Sequence, residues 1–261
     1  MQIVGLQLDS VWENKAANHD KVLSLLDSVK PSAGALVVLP EMFATGFSMN
    51  VAAIHDESRE TQDFLSRTAA ERSIYLMGGV VMKDEKTERG RNEAVVYSPE
   101  GKEVARYSKL QPFTLGGESE HYNAGDRVCL FEYQEFTVAP FICYDLRFPE
   151  HFRRATARGA NLIVVIASWP ALRDDHWVTL LKARAIENLA YVVGVNRCGE
   201  DPKHYHSGRS IVYDPHGRVM ADAGVEEGWI EAQVELELLL DWRRRFPALD
   251  DMRHDFYRHA N

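Results

Sequence analysis

The sequence predicts an α/β fold in which two similar sheets pack face to face with helices outside. Three observations predict it. Strand-like and helix-like stretches alternate from the first residues, and the order of elements in the first half recurs in the second. In addition, Glu93-Ala-Val-Val-Tyr-Ser-Pro-Glu-Gly-Lys-Glu103 has an echo in Arg209-Ser-Ile-Val-Tyr-Asp-Pro-His-Gly-Arg-Val219. Two independent Pro-Gly turns would also leave that echo; the sharper reading is a pair of sheets related by a pseudo-twofold.

Each element has its own signal. Residues 2–8 read as a strand, and Val22, Leu25, Leu26 and Val29 then recur at i, i+3, i+4 and i+7 on one helical face. Residues 35–39 form a wholly apolar, buried strand that stops at Pro40-Glu41. Phe64, Leu65 and Ala69 mark a second helix, residues 74–82 a strand, and residues 83–91 a charged, solvated tip. Residues 93–97 and 104–107 flank Ser98-Pro-Glu-Gly-Lys102, where Pro fixes and Gly frees the backbone, and they should pair antiparallel. The second half supplies a strand at 136–142, a helix opening at Pro149, a strand at 162–167, a helix at 174–189 and a strand at 191–196. Pro149 suits a first helical position, where its missing N–H costs nothing. No linker or composition break divides the chain, so a single domain over 1–261 is expected.

Composition narrows the function classes. A chain of 261 residues can bury a core without disulfide or metal staples, and no cofactor or metal is expected. With 30 basic and 39 acidic side chains the net charge is −9, and scattered Lys and Arg offer no basic face for nucleic acid. The longest apolar runs, such as Asn161-Leu-Ile-Val-Val-Ile-Ala167, fall far short of the roughly 20 residues of a membrane helix. The first residues lack the pattern of an export signal, and three cysteines make a poor disulfide framework. A cytoplasmic protein with free thiols is expected.

Three segments place reactive residues where a buried strand ends. Ala35-Leu-Val-Val-Leu-Pro-Glu-Met-Phe43 delivers Glu41, a partly desolvated carboxylate suited to general-base work, although alone it also fits a loop cap or an Arg partner. Tyr107-Ser-Lys-Leu-Gln-Pro-Phe113 delivers Lys109, which alone would be a solvated charge. Val138-Ala-Pro-Phe-Ile-Cys-Tyr-Asp-Leu-Arg-Phe-Pro-Glu150 ends a strand at Cys143 just before a helix, where backbone N–H groups can lower a thiol pKa and later hold an oxyanion. Alone, Cys143 also fits a small buried hydrophobe. Together the three residues supply a base, a fixed positive charge and a soft nucleophile, the set that acyl transfer needs.

Leu39-Pro-Glu-Met-Phe43, Ser108-Lys-Leu-Gln-Pro-Phe113 and Ile142-Cys-Tyr-Asp-Leu-Arg-Phe-Pro-Glu150, in that order, resemble the nitrilase (carbon-nitrogen hydrolase) superfamily. The resemblance runs from Gln2 to about Tyr257 and includes Ala167-Ser-Trp-Pro170, the helix from His176 to Asn188, and the segment from His206 to Gly217. It implies a four-layer α-β-β-α sandwich with two mostly antiparallel sheets. It also implies a homodimer, with residues 240–261 as a carboxy-terminal tail at the interface. Glu41 would take the proton of Cys143, the sulfur would attack a carbonyl carbon, and Lys109 with the Tyr144 N–H would hold the oxyanion. Ammonia would leave a thioester, which a water activated by Glu41 would cleave. A second glutamate orienting Lys109 and substrate is implied too, with Glu118 in its place and Glu120 as the rival. The Lys-Leu-Gln-Pro-Phe segment departs from the commoner Lys-x-His-Leu-Phe of the family.

Glu, Lys and Cys set the reaction type and not the substrate. Cys143-Tyr-Asp-Leu-Arg-Phe-Pro149, Ala167-Ser-Trp-Pro170 and Ala183-Arg-Ala-Ile-Glu-Asn188 look most like the bacterial ω-amidase branch, which implies 2-oxo dicarboxylic monoamides such as 2-oxoglutaramate and 2-oxosuccinamate. Such a substrate carries a carboxylate that Arg147 or Arg173 could bind bidentately, unless either is engaged in an internal salt bridge. Phe43, Tyr144 and Trp169 would wall a small pocket. Elsewhere, His204 and His206 read as surface histidines without a third metal ligand, Glu187 as a structural partner of an Arg or backbone group, and Asp145 as a brace behind Cys143. Cys129 and Cys198 read as structural, and Trp242-Arg-Arg-Arg-Phe-Pro247 as a dimer contact. The competing readings are another branch, such as an N-carbamoyl amine or amino-acid hydrolase, a non-catalytic binding protein on the same fold, and a cysteine protease or acyltransferase. The last lacks an identifiable Cys/His pair.

Overall fold

The computed structural model describes residues 1–253. Of the expected interface tail at 240–261, and of the resemblance up to Tyr257, the part from 254 onward lies outside the described residues. The strands are β1 (Gln2–Gln7), β2 (Leu36–Val38), β3 (Tyr75–Lys83), β4 (Gly90–Tyr97), β5 (Glu103–Ser108), β6 (Phe131–Tyr133), β7 (Phe136–Ile142), β8 (Leu162–Ala167), β9 (Tyr191–Asn196), β10 (Cys198–Glu200), β11 (Tyr205–Ser207), β12 (Ile211–Tyr213), β13 (Val219–Asp222) and β14 (Gly228–Gln233). The helices are α1 (Lys15–Val29), α2 (Val51–Ile54), α3 (Glu60–Arg72), α4 (Glu118–His121), α5 (Pro149–Thr156), α6 (Asp174–Asn188) and α7 (Leu236–Arg245). None of the described helices is long and apolar enough to cross a membrane.

Two six-stranded sheets run β5-β4-β3-β2-β1-β14 and β13-β12-β9-β8-β7-β6. Read in that order, each is antiparallel, antiparallel, parallel, parallel, antiparallel. The echoing segments are the β4–β5 and β12–β13 hairpins at matching edges, so the pseudo-twofold reading holds. The sheets are mixed, with three antiparallel pairs outside and parallel strands in the middle. The helices explain this, because α1, α3, α5 and α6 are crossovers, and only a crossover can join parallel neighbours.

Side-chain alternation sorts the core. Ile3, Leu36, Val38, Met77, Ala94 and Val96 point from the first sheet toward the second and join Val138, Val164 and Val193 between them. Their neighbours Val4, Val37, Leu76 and Val95 point outward beneath Val22 and Leu26 of α1 and Leu65 and Ala69 of α3. Both faces of the central strands are covered, which is why their sequences are continuous apolar runs. In α7, Arg243 donates to the carbonyls of Ala160, Asn188 and Leu189, so it docks this helix on the end of α6 of its own chain. Arg244 and Arg245 pair with Asp241 on the exposed side.

Candidate active site

The reactive residues follow the carboxyl ends of strands from both sheets. Glu41 comes three residues after β2, Lys109 directly after β5, Cys143 directly after β7, and Ser168 directly after β8. Because β7 and β8 are parallel neighbours with Ile142 paired to Ile166, their ends present Cys143 and Ser168 side by side. Ligands of open α/β sheets gather at such carboxyl ends. Cys143 is held at φ +48°, a left-handed conformation that strains any residue but glycine and turns the chain sharply off its strand. On the other sheet, a Cβ at Gly79 of β3 would stand 2.4 Å from the Met42 nitrogen, so only glycine lets the Glu41–Met42 backbone come this close.

Beneath the cysteine lies a buried polar cluster. The Lys109 Nζ donates to Glu41 Oε1 and Glu118 Oε2, both at 2.8 Å, and stands 5.3 Å from the Phe47 ring centroid. Burial works against the ammonium, but Glu118 and then Glu41 outweigh it and hold the Lys109 pKa well above the ordinary lysine value. Glu118 Oε2 also accepts from the Phe113 N–H at 2.6 Å, and Glu41 Oε2 from the Ser168 N–H at 2.8 Å. Of the two rival glutamates, Glu118 is fully buried on Lys109 and Glu120 is exposed. Sequence reasoning missed Asn92, whose Nδ2 donates to Glu41 Oε1 at 2.7 Å and Glu118 Oε1 at 2.8 Å. The sequence carries no signal for it, because Asn92 stands between Arg91 and Glu93 at the polar start of β4.

The thiol itself departs from expectation. Burial, followed by the Glu41 carboxylate, pushes the Cys143 pKa well above that of an ordinary cysteine, against the pull of Lys109 and the Ser168 N–H. The turn after Cys143 is a five-residue 3-10 segment, too short a dipole to reverse those effects. A thiol held neutral is a good nucleophile only when a neighbouring base takes its proton during attack. Asp145 braces the turn as expected, accepting from the Tyr107 hydroxyl (2.7 Å) and the N–H groups of Gln111 (2.9 Å) and Ile142 (3.0 Å). Burial lifts the Asp145 pKa to about 6 in spite of these donors.

Cys143 opens into a cleft of about 140 Å³ that Tyr144, Arg147, Trp169 and Arg173 also line. The Arg147 guanidinium lies 4.8 Å from the Trp169 ring and that of Arg173 lies 5.5 Å from the Phe113 ring. Among the described residues, neither arginine is held by a carboxylate; Arg147 instead meets His176 Nδ1 at 3.2 Å. Burial and then the nearby charge of Arg173 lower the Arg147 pKa, as expected for two cations facing one space. Trp169 is pinned by Asn196 Oδ1, which accepts its N–H at 2.7 Å, and by its own Nε1 donating to the Arg173 carbonyl at 2.8 Å.

Two expectations are corrected. Phe43 does not wall the cleft; it is fully buried in the outer core, near Phe64 and His19, because the left-handed Met42 (φ +46°) turns the chain back under the sheet. Trp12, Phe47 and Phe113 supply aromatic walls instead. His206 is not a surface histidine. The β10–β11 hairpin folds it inward, with Nε2 at 3.4 Å from Ser168 Oγ and 3.7 Å from Asp201 Oδ2, and burial together with Arg197 lowers its pKa to about 4.

This chain is similar to known proteins over nearly its full length. It is 35% identical to 2-oxoglutaramate amidase of Bacillus subtilis over 97% of both chains, and 38% identical to omega-amidase YafV of Yersinia enterocolitica over 96% of both. Its fold superposes on XC1258 of Xanthomonas campestris, a CN-hydrolase superfamily protein, with a TM-score of 0.90, 32% identity and 97% of both chains covered. The model of the carbon-nitrogen hydrolase family matches residues 3–244, a span that contains both sheets, the cleft and the buried Glu-Lys-Glu cluster under the cysteine. The chain therefore belongs to the carbon-nitrogen hydrolase family.

Proposed function

We propose that this protein is an ω-amidase that hydrolyses the terminal amide of short 2-oxo dicarboxylic monoamides, such as 2-oxoglutaramate and 2-oxosuccinamate, to the acid and ammonia. The observation that carries the substrate class is the pair Arg147 and Arg173, two cations without a carboxylate partner among the described residues, in the cleft that Cys143 opens into. A substrate carboxylate would relieve their repulsion, and a charge-assisted bidentate bond fixes its orientation. The Trp169 and Phe113 rings lie under the Arg147 and Arg173 guanidinium groups at cation–π distance and favour these positions. The similarity to a 2-oxoglutaramate amidase and an omega-amidase supports the same reading.

In this reading the Cys143 sulfur attacks the amide carbon as Glu41 takes the thiol proton. The carbonyl oxygen becomes an oxyanion held by Lys109, two of whose three ammonium N–H groups go to Glu41 and Glu118, and by the Tyr144 N–H at the start of the 3-10 turn. The C–N bond breaks as Glu41 passes its proton to the leaving nitrogen, giving ammonia and a thioester. A water then gives a proton to Glu41, its oxygen attacks the thioester, and the proton returns to the departing sulfur. Glu118 keeps Lys109 oriented throughout.

Replacing Arg147 or Arg173 by Met tests the substrate class. Each change should raise KM for 2-oxoglutaramate by about 10- to 100-fold, the worth of a hydrogen bond to a charged group. Turnover of a short neutral amide should change little. Equal losses on both amides, or preference for an N-carbamoyl amine in the unmodified protein, would overturn it. We place the protein in the cytoplasm, on the strength of its free cysteines. We also infer a homodimer, for which exposed Ile186, Leu238 and Phe246 offer apolar surface; sedimentation should return twice the chain mass.

A further inference from the structure

The hydrogen bonds around Glu41 identify which of its oxygens handles the proton. A carboxylate oxygen has two acceptor sites. On Oε1 both are filled, by Lys109 Nζ at 2.8 Å and Asn92 Nδ2 at 2.7 Å. On Oε2 one is filled, by the Ser168 N–H at 2.8 Å, and that same N–H faces the Cys143 sulfur. Oε2 therefore has the site left to accept, and it is the oxygen that shares the Ser168 N–H with the Cys143 sulfur. Asn92 reaches this arrangement with both amide hydrogens, because its second one goes to Glu118 Oε1 at 2.8 Å. The amide cannot be turned over, since its oxygen would then face two carboxylate oxygens at hydrogen-bond distance. In the orientation present, Asn92 Oδ1 is buried without a hydrogen-bond partner among the described residues. An orphaned buried acceptor is unfavourable, so the two N–H bonds to the glutamates must outweigh it.

We infer that Asn92 is a positioning residue of the catalytic base: with Lys109 it fills Oε1 of Glu41 and leaves Oε2 as the atom that takes the Cys143 proton and returns it. When the S–C bond forms, the thiol proton moves to Oε2. When the C–N bond breaks, that proton leaves on ammonia. When water attacks the thioester, its proton reaches Oε2 and then the sulfur released from the C–S bond. Without Asn92, Oε1 regains a free acceptor site facing away from the sulfur, and the carboxyl can hold its proton where no reacting atom reaches it.

This inference rests on Glu41 as base and Cys143 as nucleophile, so Glu41→Gln and Cys143→Ala serve as controls. Asn92→Ala should lower kcat by about 10- to 100-fold, part of the general-base contribution, with KM for 2-oxoglutaramate changed less than about threefold, because Asn92 does not line the cleft. Asn92→Ser, which keeps one donor, should regain part of kcat, and Asn92→Asp, equal in size but without the donors, should be worse than Asn92→Ala. Thermal melts of all three, with rates scaled to the folded fraction, separate this from loss of fold. Unchanged kcat in folded Asn92→Ala, a loss confined to KM, or equal rates for Ser, Ala and Asp would each overturn the inference. Activity surviving in Glu41→Gln or Cys143→Ala would instead overturn the reading beneath it.

Discussion

Lys109→Met is expected to remove turnover and to destabilise the fold by about 3–5 kcal/mol, the range for deleting one partner of a buried ion pair. Lys109 is 1% exposed and is the cation between Glu41 and Glu118, so its loss leaves two buried carboxylates bridged by one Asn92 amide. Folding raises the Lys109 pKa above its ordinary 10.5. Its contribution to stability is thus complete below 10.5 and fades only as pH rises through the higher folded value. The deficit should accordingly be fully visible in denaturant titrations at neutral pH. Adding Glu118→Gln to Lys109→Met removes one stranded charge and should recover part of the stability but no activity. A single variant as stable as the unmodified protein would contradict the charge balance described for the cluster.

The second large effect concerns the nucleophile. Cys143→Ala should fall to the background rate and Cys143→Gly should match it, since neither has an atom to attack the amide carbon. Their stabilities should differ. Alanine keeps the strain of φ +48°, whereas glycine relieves it, so Cys143→Gly should be the more stable by about 1 kcal/mol in denaturant. Equal stabilities would mean that the left-handed turn is not strained. Turnover in either variant would remove Cys143 from the chemistry.

Much of the architecture is legible in the sequence because the catalytic candidates stand just past strands: Glu41 and Cys143 follow apolar runs visible without a structure, and Lys109 follows the mixed strand β5. The same segments mark Asp145 as a brace behind the cysteine, which its three hydrogen bonds show. The parallel centre of each sheet was not drawn out, although strand–helix–strand order already contained it. Glu118 and Glu120 could not be separated, because they fall on a four-residue helix whose facing depends on Gly117 at φ +81°. Phe43 was misplaced because one left-handed residue, Met42, reverses the direction in which a strand-end side chain points. Asn92 and His206 were invisible for a shared reason. Each is a polar residue whose partners come from distant parts of the chain, and a single sequence shows the residue without the partners.

The most direct measurement mixes the protein with 2-oxoglutaramate, quenches within the first turnovers, and records ammonia together with intact and peptide masses. The account predicts ammonia release and a transient mass increase equal to substrate less ammonia, located on the peptide that carries Cys143 and absent from Cys143→Ala. Ammonia without any adduct on that peptide, or silence on 2-oxoglutaramate while an N-carbamoyl amine or neutral amide is turned over, would contradict it.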